Sequence, residues 1–500
     1  MEQRFDYIVV GGGTAGVVMA ARLAENPALQ VALIEAGPSD SKVAQILELA
    51  QWQTLLGSRY DYDYGIEAQP RGNSAIRHSR GKMLGGCSSH NSCIAFLPTA
   101  YDLSLWEAQA GALWSAQALQ PAIAKLRSKV HLEPSESGNA AIEAFVCAGE
   151  QAGFPRSDFL GDFQEAVGWF QLNKRGGLRQ SSSVAYLHNA GRLPANLHLL
   201  TDTRVLRLEG EREAGELRMR YVLSDAGRLC ADQGIILSCG AFDSPKLLKL
   251  SGIGAAAELE SWDIPVLCDL PGVGENLLDH PEGVMIWHSE QPVPPESSNI
   301  YEAGLFARVD ADAPWPDLMF HFGTQAFDMH TRPAGYPSSS NAVSLTPNVA
   351  RAKSRGWVRL RSADPRDPPR IDFRYFSDPE GYDERIMVAG LKLARELAAQ
   401  AALRPWASRE LAPGPQVQSD AELSAYVRRT ANTVYHPTSS CRMGQADDPG
   451  AVVDPQLRVR GVQGLYIADA SVLPSIPSVN PALSCMLLGE HGAALLLARD

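Results

Sequence analysis

The chain has 500 residues, 45% of them hydrophobic and 20% charged, with a net charge of −12. This composition is globular, not disordered, and its acidity argues against nucleic acid or an anionic membrane surface as a partner. No apolar run reaches the roughly eighteen residues of a membrane span, Met1-Glu-Gln-Arg4 leaves no room for a signal peptide, and length alone suggests about two to four domains.

The first predicted strand runs from Phe5 to Val10, apolar and β-branched as a buried parallel strand requires. Gly11, Gly13 and Gly16 follow, then a helical spacing of apolar residues from Val17 to Leu23, a second strand at Val31–Ile34, and Glu35 at its end. In such a βαβ unit the glycines let the backbone turn and approach a pyrophosphate at the helix N-terminus, while the acid accepts ribose hydroxyls. The motif does not by itself separate NAD from FAD.

Residues 81–93 form a second Gly/Ser-rich loop, small enough to admit a planar ligand. His90 stands within it, and a hydrogen-bonded loop histidine is the plainer reading of that residue alone. Gly234–Ser238 reads as a buried strand, and Gly240–Pro245 as a turn into a helix starting near Pro245. Residues 282–433 differ in texture, with strand candidates at Leu318–Phe322 and Gly356–Arg361 and an amphipathic helix from about Asp383 to Ala399. That pattern fits a mixed, mostly antiparallel sheet backed by helices.

Thr433–Pro437 places His436 in an extended segment, where an imidazole can serve as a base near neutral pH. Gly464–Asp469 is a short strand ending on an acid, which suggests a nucleotide domain assembled from distant segments. Pro477–Pro481 leads into an apolar helix from Ala482 to Leu497, with Asn480 expected as its N-cap and Pro481 as its first residue. The eight cysteines form no C-x-x-C pair, a usage that fits reduced thiols in a cytoplasmic protein better than disulfides or a zinc site.

Together the N-terminal fingerprint, residues 81–96, residues 240–254 and residues 469–481 resemble the glucose–methanol–choline oxidoreductases, FAD enzymes that oxidise alcohols. Residues 85–96, 279–283, 327–329 and 434–437 are most similar to the branch that oxidises choline. The resemblance implies an α/β fold: a discontinuous Rossmann-type FAD-binding domain (1–140, 170–281, 434–500) and an α+β substrate domain on a mixed or antiparallel sheet (141–169, 282–433).

It also implies roles, position by position. Gly11, Gly13, Thr14, Ala15, Gly16, Glu35, Ala36, Gly86, Ser89, Asn91, Val205, Asp469, Ala470 and Pro481 match cofactor contacts, and His90 matches a histidine that holds FAD covalently. His436 and Asn480 match a catalytic pair, with Ser92 and His321 beside the substrate hydroxyl. Glu282 matches a carboxylate facing a trimethylammonium group, and Trp52, Phe327 and Tyr435 match its aromatic enclosure. Val434 matches an apolar residue associated with oxygen access.

Three positions depart from the family pattern. Tyr301 replaces a tryptophan of the enclosure, Ala255 replaces a proline, and residues 131–138 are short where a longer segment helps cover the entrance. The implied activity is oxidation of choline to betaine aldehyde and glycine betaine with O2 reduced to H2O2, in a cytoplasmic homodimer without metal, nucleic acid or membrane partners. The alternatives are a dehydrogenase using a quinone or dye, an oxidase for another primary alcohol, a cyanohydrin lyase of the same fold, or a FAD-binding scaffold without turnover.

Overall fold

The computed structural model describes residues 3–213 and 215–498. Its first sheet is built where the sequence is most β-branched. Strands Leu197–Leu200, Val31–Ile34, Gln3–Val10, Gly227–Leu237 and Leu465–Ile467 pair in parallel, so the strands from residues near 230 and 465 complete a sheet begun at the N-terminus. Glu216–Ser224 and Val205–Glu213 extend it as an antiparallel meander. Helix Thr14–Leu23 covers one face and is itself packed by the C-terminal helix Ala482–Leu497. Arg22 reaches Glu490 across that contact at 2.7 Å.

The glycine turn explains how close these layers come. Gly11 has φ +100°, a left-handed conformation that favours glycine, and a Cβ on Gly16 would lie 2.0 Å from the Gly11 carbonyl oxygen. The helix can therefore start directly against the strand end.

The second sheet is antiparallel throughout: Arg409–Ala412, Met285–His288, Ala342–Val349, Leu318–Gly323, Tyr301–Ala307 and Ala166–Trp169, in that order. Helices Tyr382–Ala398 and Ala140–Gln151 cover one face. Alternation along the 318–323 strand sends Phe320 and Phe322 into the core shared with those helices, and Phe322 stacks on Phe145 at 4.8 Å. Met319 and His321 point the other way, Met319 into a separate cluster with Phe170 and Val479 and His321 against the Phe170 ring.

Two boundaries differ from the sequence expectation. The helix expected near Pro245 begins at Gly240 and carries Pro245 inside it. Proline leaves the carbonyl four residues earlier without its helical donor, and the Ser440 hydroxyl donates to that Ala241 oxygen at 2.6 Å. The last helix begins at Ala482, with Pro481 at its cap position and no capping side chain, so Asn480 is not the N-cap. Its amide is turned elsewhere.

Among the described residues all eight cysteines are free, no helix is long and apolar enough to cross a membrane, and no cluster of three or more His, Cys, Asp or Glu could hold a metal ion. Ser440→Ala should lower the unfolding free energy of the intact protein by about 1–3 kcal/mol, the cost of stranding a buried acceptor. Chemical denaturation with both proteins reads this directly.

Candidate active site

A cavity of about 320 Å³ runs from the glycine turn to the inner face of the second sheet. At one end it meets Gly11, Gly13, Thr14, Ala15, Glu35, Ala36, Gly86, His90, Asn91, Val205, Asp469, Ala470 and Pro481. At the other it meets Trp52, Ser92, Glu282, Tyr301, His321, Phe327, Val434, Tyr435, His436 and Asn480. Two expected cofactor contacts lie outside it. Gly16 packs on Gly11, and the Ser89 hydroxyl is spent on the Leu84 carbonyl and Asp40, at 2.9 and 3.2 Å. Residues 131–138, expected near the entrance, do not line the cavity either; their short strand Glu133–Pro134 pairs with Gln171–Leu172.

The two glycine loops pack on each other. The Gly85 N–H donates to the Gly12 carbonyl at 2.7 Å, and a Cβ on Gly86 would come within 2.7 Å of the Gly13 Cα. Buried Arg179 pins the second loop through the Ser88 and Asn91 carbonyls. Helix Thr14–Leu23 has no capping side chain and no acid in its first turn, so its first N–H groups and positive dipole end face the cavity.

At the far end the segment 432–437 crosses the inner face. Asp279 is fully buried and accepts from the Tyr375 hydroxyl at 2.5 Å, the Thr433 hydroxyl at 2.5 Å and the His436 N–H at 2.9 Å. Tyr435 sits between at φ 64°, a conformation a tyrosine rarely holds. The Thr433 hydroxyl accepts its N–H at 2.8 Å, and Arg80 donates to its carbonyl at 2.6 Å.

Side chains then converge on one point. His436 Nδ1 lies 2.9 Å from His280 Nδ1, and His280 Nε2 lies 2.9 Å from the Ala350 carbonyl. A carbonyl only accepts, so His280 Nε2 carries its proton, His280 Nδ1 accepts, and His436 Nδ1 donates. His436 Nε2 is thereby left with a lone pair, 3.5 Å from the Asn480 amide nitrogen. Asn480 Oδ1 and His90 Nε2 are buried with no hydrogen-bond partner.

Comparison with known proteins gives this arrangement a family. The GMC oxidoreductase N-terminal region matches residues 5–282 and the C-terminal region residues 352–489. The chain is 48% identical to choline oxidase of Arthrobacter globiformis, over 99% of this chain and 94% of that one. Mitochondrial choline dehydrogenase of Homo sapiens is 35% identical, over 98% and 89%. The structure of pyridoxine 4-oxidase from Mesorbium loti superposes with a TM-score of 0.89 at 30% identity, covering 99% of both chains. The chain belongs to the GMC oxidoreductases.

As a member of that family it is an FAD-dependent oxidoreductase acting on CH–OH groups. Its residues fit the cofactor. The uncapped helix start suits a pyrophosphate, the two apposed glycine loops leave a narrow cradle, and His90 and Asn480, each with a buried polar atom that makes no hydrogen bond to the described residues, line the same cavity. Glu35 accepts the Gly12 and Gly37 N–H groups at 2.9 and 2.8 Å; burial raises its pKa to about 7.

Burial dominates the electrostatics of the inner end. It lowers His436 well below the usual imidazole range, with neighbouring His280 adding to the effect. It lowers His280 to about 4 and His321 to about 3. All three rings are neutral at physiological pH. Burial alone would raise Asp279, but donors including His78, Thr433 and Tyr375 hold it well below the carboxylate range.

Glu282 is the exception. Burial raises its pKa to about 8, against weak support from Thr346 and from Asn432 Nδ2 at 3.3 Å. Its nearest basic group is neutral His321, Nδ1 to Oε1 3.8 Å.

Sequence reasoning missed Asp279, His280, Arg80, Arg179 and Thr433. Asp279 and His280 stand in the same short motif as Glu282, and that adjacency was the available signal. Glu282 of the intact enzyme should carry a proton at neutral pH and lose it around pH 8. Difference infrared spectroscopy should show a protonated-carboxyl band that disappears across that range and is absent in Glu282→Gln. A band that disappears near pH 4 would contradict this environment.

Proposed function

We propose that this GMC oxidoreductase oxidises choline to betaine aldehyde and then to glycine betaine, with O2 as electron acceptor. The observation that carries the reading is Glu282, a buried acid with no cationic partner among the described residues, beside a wall of aromatic rings. Tyr301 lies 5.8 Å from Phe327, edge to face, and 6.3 Å from Trp52, ring centre to ring centre. A quaternary ammonium cannot donate hydrogen bonds, so aromatic faces and a carboxylate are what recognise it, each cation–π contact contributing about 0.5–2 kcal/mol. The similarity to the Arthrobacter choline oxidase supports the same reading.

In this proposal His436 Nε2 takes the substrate hydroxyl proton, because the Ala350–His280 chain leaves its lone pair free. Burial makes His436 a weak base on its own. The alkoxide therefore depends on donors around it, a role this reading gives to the Asn480 amide, the Ser92 hydroxyl and His321, all of which line the cavity. The helix starting at Ala482 points its positive end into the same space. FAD would be held by the glycine turn, Glu35, Val205 and the 469–481 segment, and would supply the acceptor for the hydride from the carbinol carbon. His90 Nε2, buried without a hydrogen bond and 3.7 Å from Asp61 Oδ2, is the candidate atom for covalent attachment.

Three measurements test the proposal. The enzyme should consume O2 with both choline and betaine aldehyde, and kcat/KM for choline should exceed that for the neutral isostere 3,3-dimethylbutanol by at least about tenfold, or 1.4 kcal/mol. Glu282→Gln should erase most of that preference; equal values in the unmodified enzyme would contradict a charge-reading site. His436→Ala should slow flavin reduction about 10²–10⁴-fold, and a near-normal rate would move the base to His321. Acid precipitation should leave yellow flavin on the unmodified protein and release it from His90→Ala, whereas flavin released from both would refute attachment at His90.

A further inference from the structure

The ring of Tyr301 is fixed with unusual completeness, while its hydroxyl is not used. Asn299 is buried beside it and makes three contacts: its Oδ1 accepts the Tyr301 N–H at 3.0 Å, its carbonyl accepts the Trp52 indole N–H at 3.1 Å, and its amide donates to the Ser92 carbonyl at 2.7 Å. One residue thus sets two walls of the cation site relative to Ser92. Edge-to-face packing on Phe327 and a ring contact to His321 at 6.1 Å complete the placement. Tyr301 is 8% exposed and lines the cavity, and no described residue gives its hydroxyl a hydrogen bond.

Such a hydroxyl has consequences for what binds. In the open cavity water satisfies it; a ligand that fills the cavity removes that water. Three methyl groups cannot replace the lost hydrogen bond. An ammonium that carries one N–H can, because a phenol oxygen accepts, and a hydrogen bond to a charged donor is among the stronger ones. Glu282 offers its charge to either cation.

Resting on the cation-site reading above, we infer that the Tyr301 hydroxyl accepts a hydrogen bond from the N–H of a protonated tertiary amine, making this a site for N,N-dimethylamino alcohols as well as quaternary ones. Tyr301 is then a specificity residue: it reads the number of hydrogens on nitrogen, and Glu282 reads the charge.

The test uses ligands that cannot be oxidised, so it does not depend on turnover. Affinities of protonated trimethylamine and of tetramethylammonium are measured on the holoenzyme at neutral pH, by flavin absorbance perturbation, for the unmodified protein, Tyr301→Phe and Glu282→Gln. Tyr301→Phe should lower the trimethylammonium-to-tetramethylammonium affinity ratio at least tenfold, whereas Glu282→Gln should weaken both cations and leave the ratio within about threefold. The ratio of kcat/KM for N,N-dimethylaminoethanol over choline should fall in parallel in Tyr301→Phe. A ratio unchanged in Tyr301→Phe, with both cations still bound, overturns the inference and leaves the cation site standing. Failure of either cation to bind the unmodified enzyme overturns both. Tyr301→Trp serves as a second variant: it restores an aromatic wall without the phenol oxygen, and should match Tyr301→Phe in its ratio.

Discussion

Asp279 holds the inner end of the site together. A fully buried carboxylate is costly unless nearly every lone pair is engaged, and Asp279 engages Tyr375, Thr433 and the His436 backbone N–H. Those contacts force the 433–436 segment into its turn and hold Tyr435 in the left-handed region. His280, the next residue, sets the proton on His436, and Glu282, two residues further, faces the aromatic wall. Three residues within one four-residue stretch thus fix the position of the base, its tautomer and the charge of the cation site. Deleting the Asp279 carboxylate would release all three at once.

The site's chemistry follows from dryness. Burial leaves His436, His280 and His321 neutral, so no imidazolium competes with a substrate cation near Glu282. The same burial makes Glu282 reluctant to ionise until a cation arrives. Binding a cation and charging the carboxylate are therefore one coupled event. The catalytic end, by contrast, gathers donors and a helix N-terminus, which favour negative charge on the substrate oxygen. The cavity is polarised along its length, and a cationic alcohol matches both ends.

Much of this was legible in the sequence, for identifiable reasons. The 5–35 unit is dominated by local rules: β-branched strands, glycines where Cβ atoms would collide, and apolar helical spacing. The resemblance to the family located the residues that meet in the cavity, from Glu282 to Asn480. What escaped was non-local. Nothing in residues 279–281 predicts that a carboxylate there will organise a segment 157 positions later, as the Asp279 contact to the His436 N–H does. The helix at Gly240 was misplaced because Pro245 looks like a first residue, and its tolerance inside a helix depends on Ser440, far along the chain. Asn480 looked like a cap because Asn-Pro usually is one; the amide instead reaches His436. Ser89 was assigned to the cofactor because it lies in the right loop, but its side chain points away toward Asp40.

The account turns on a buried acid that gives up its proton to admit a cation. Proton release on binding tests this most directly. Tetramethylammonium, which has no proton of its own, is titrated calorimetrically into the holoenzyme near neutral pH in buffers of different ionisation enthalpy. The account predicts release of close to one proton per cation bound, because Glu282 titrates at about 8 when the site is free of cation, and no release from Glu282→Gln. Tight binding by the unmodified enzyme with no proton released would show that Glu282 is already ionised or is not the group that meets the cation.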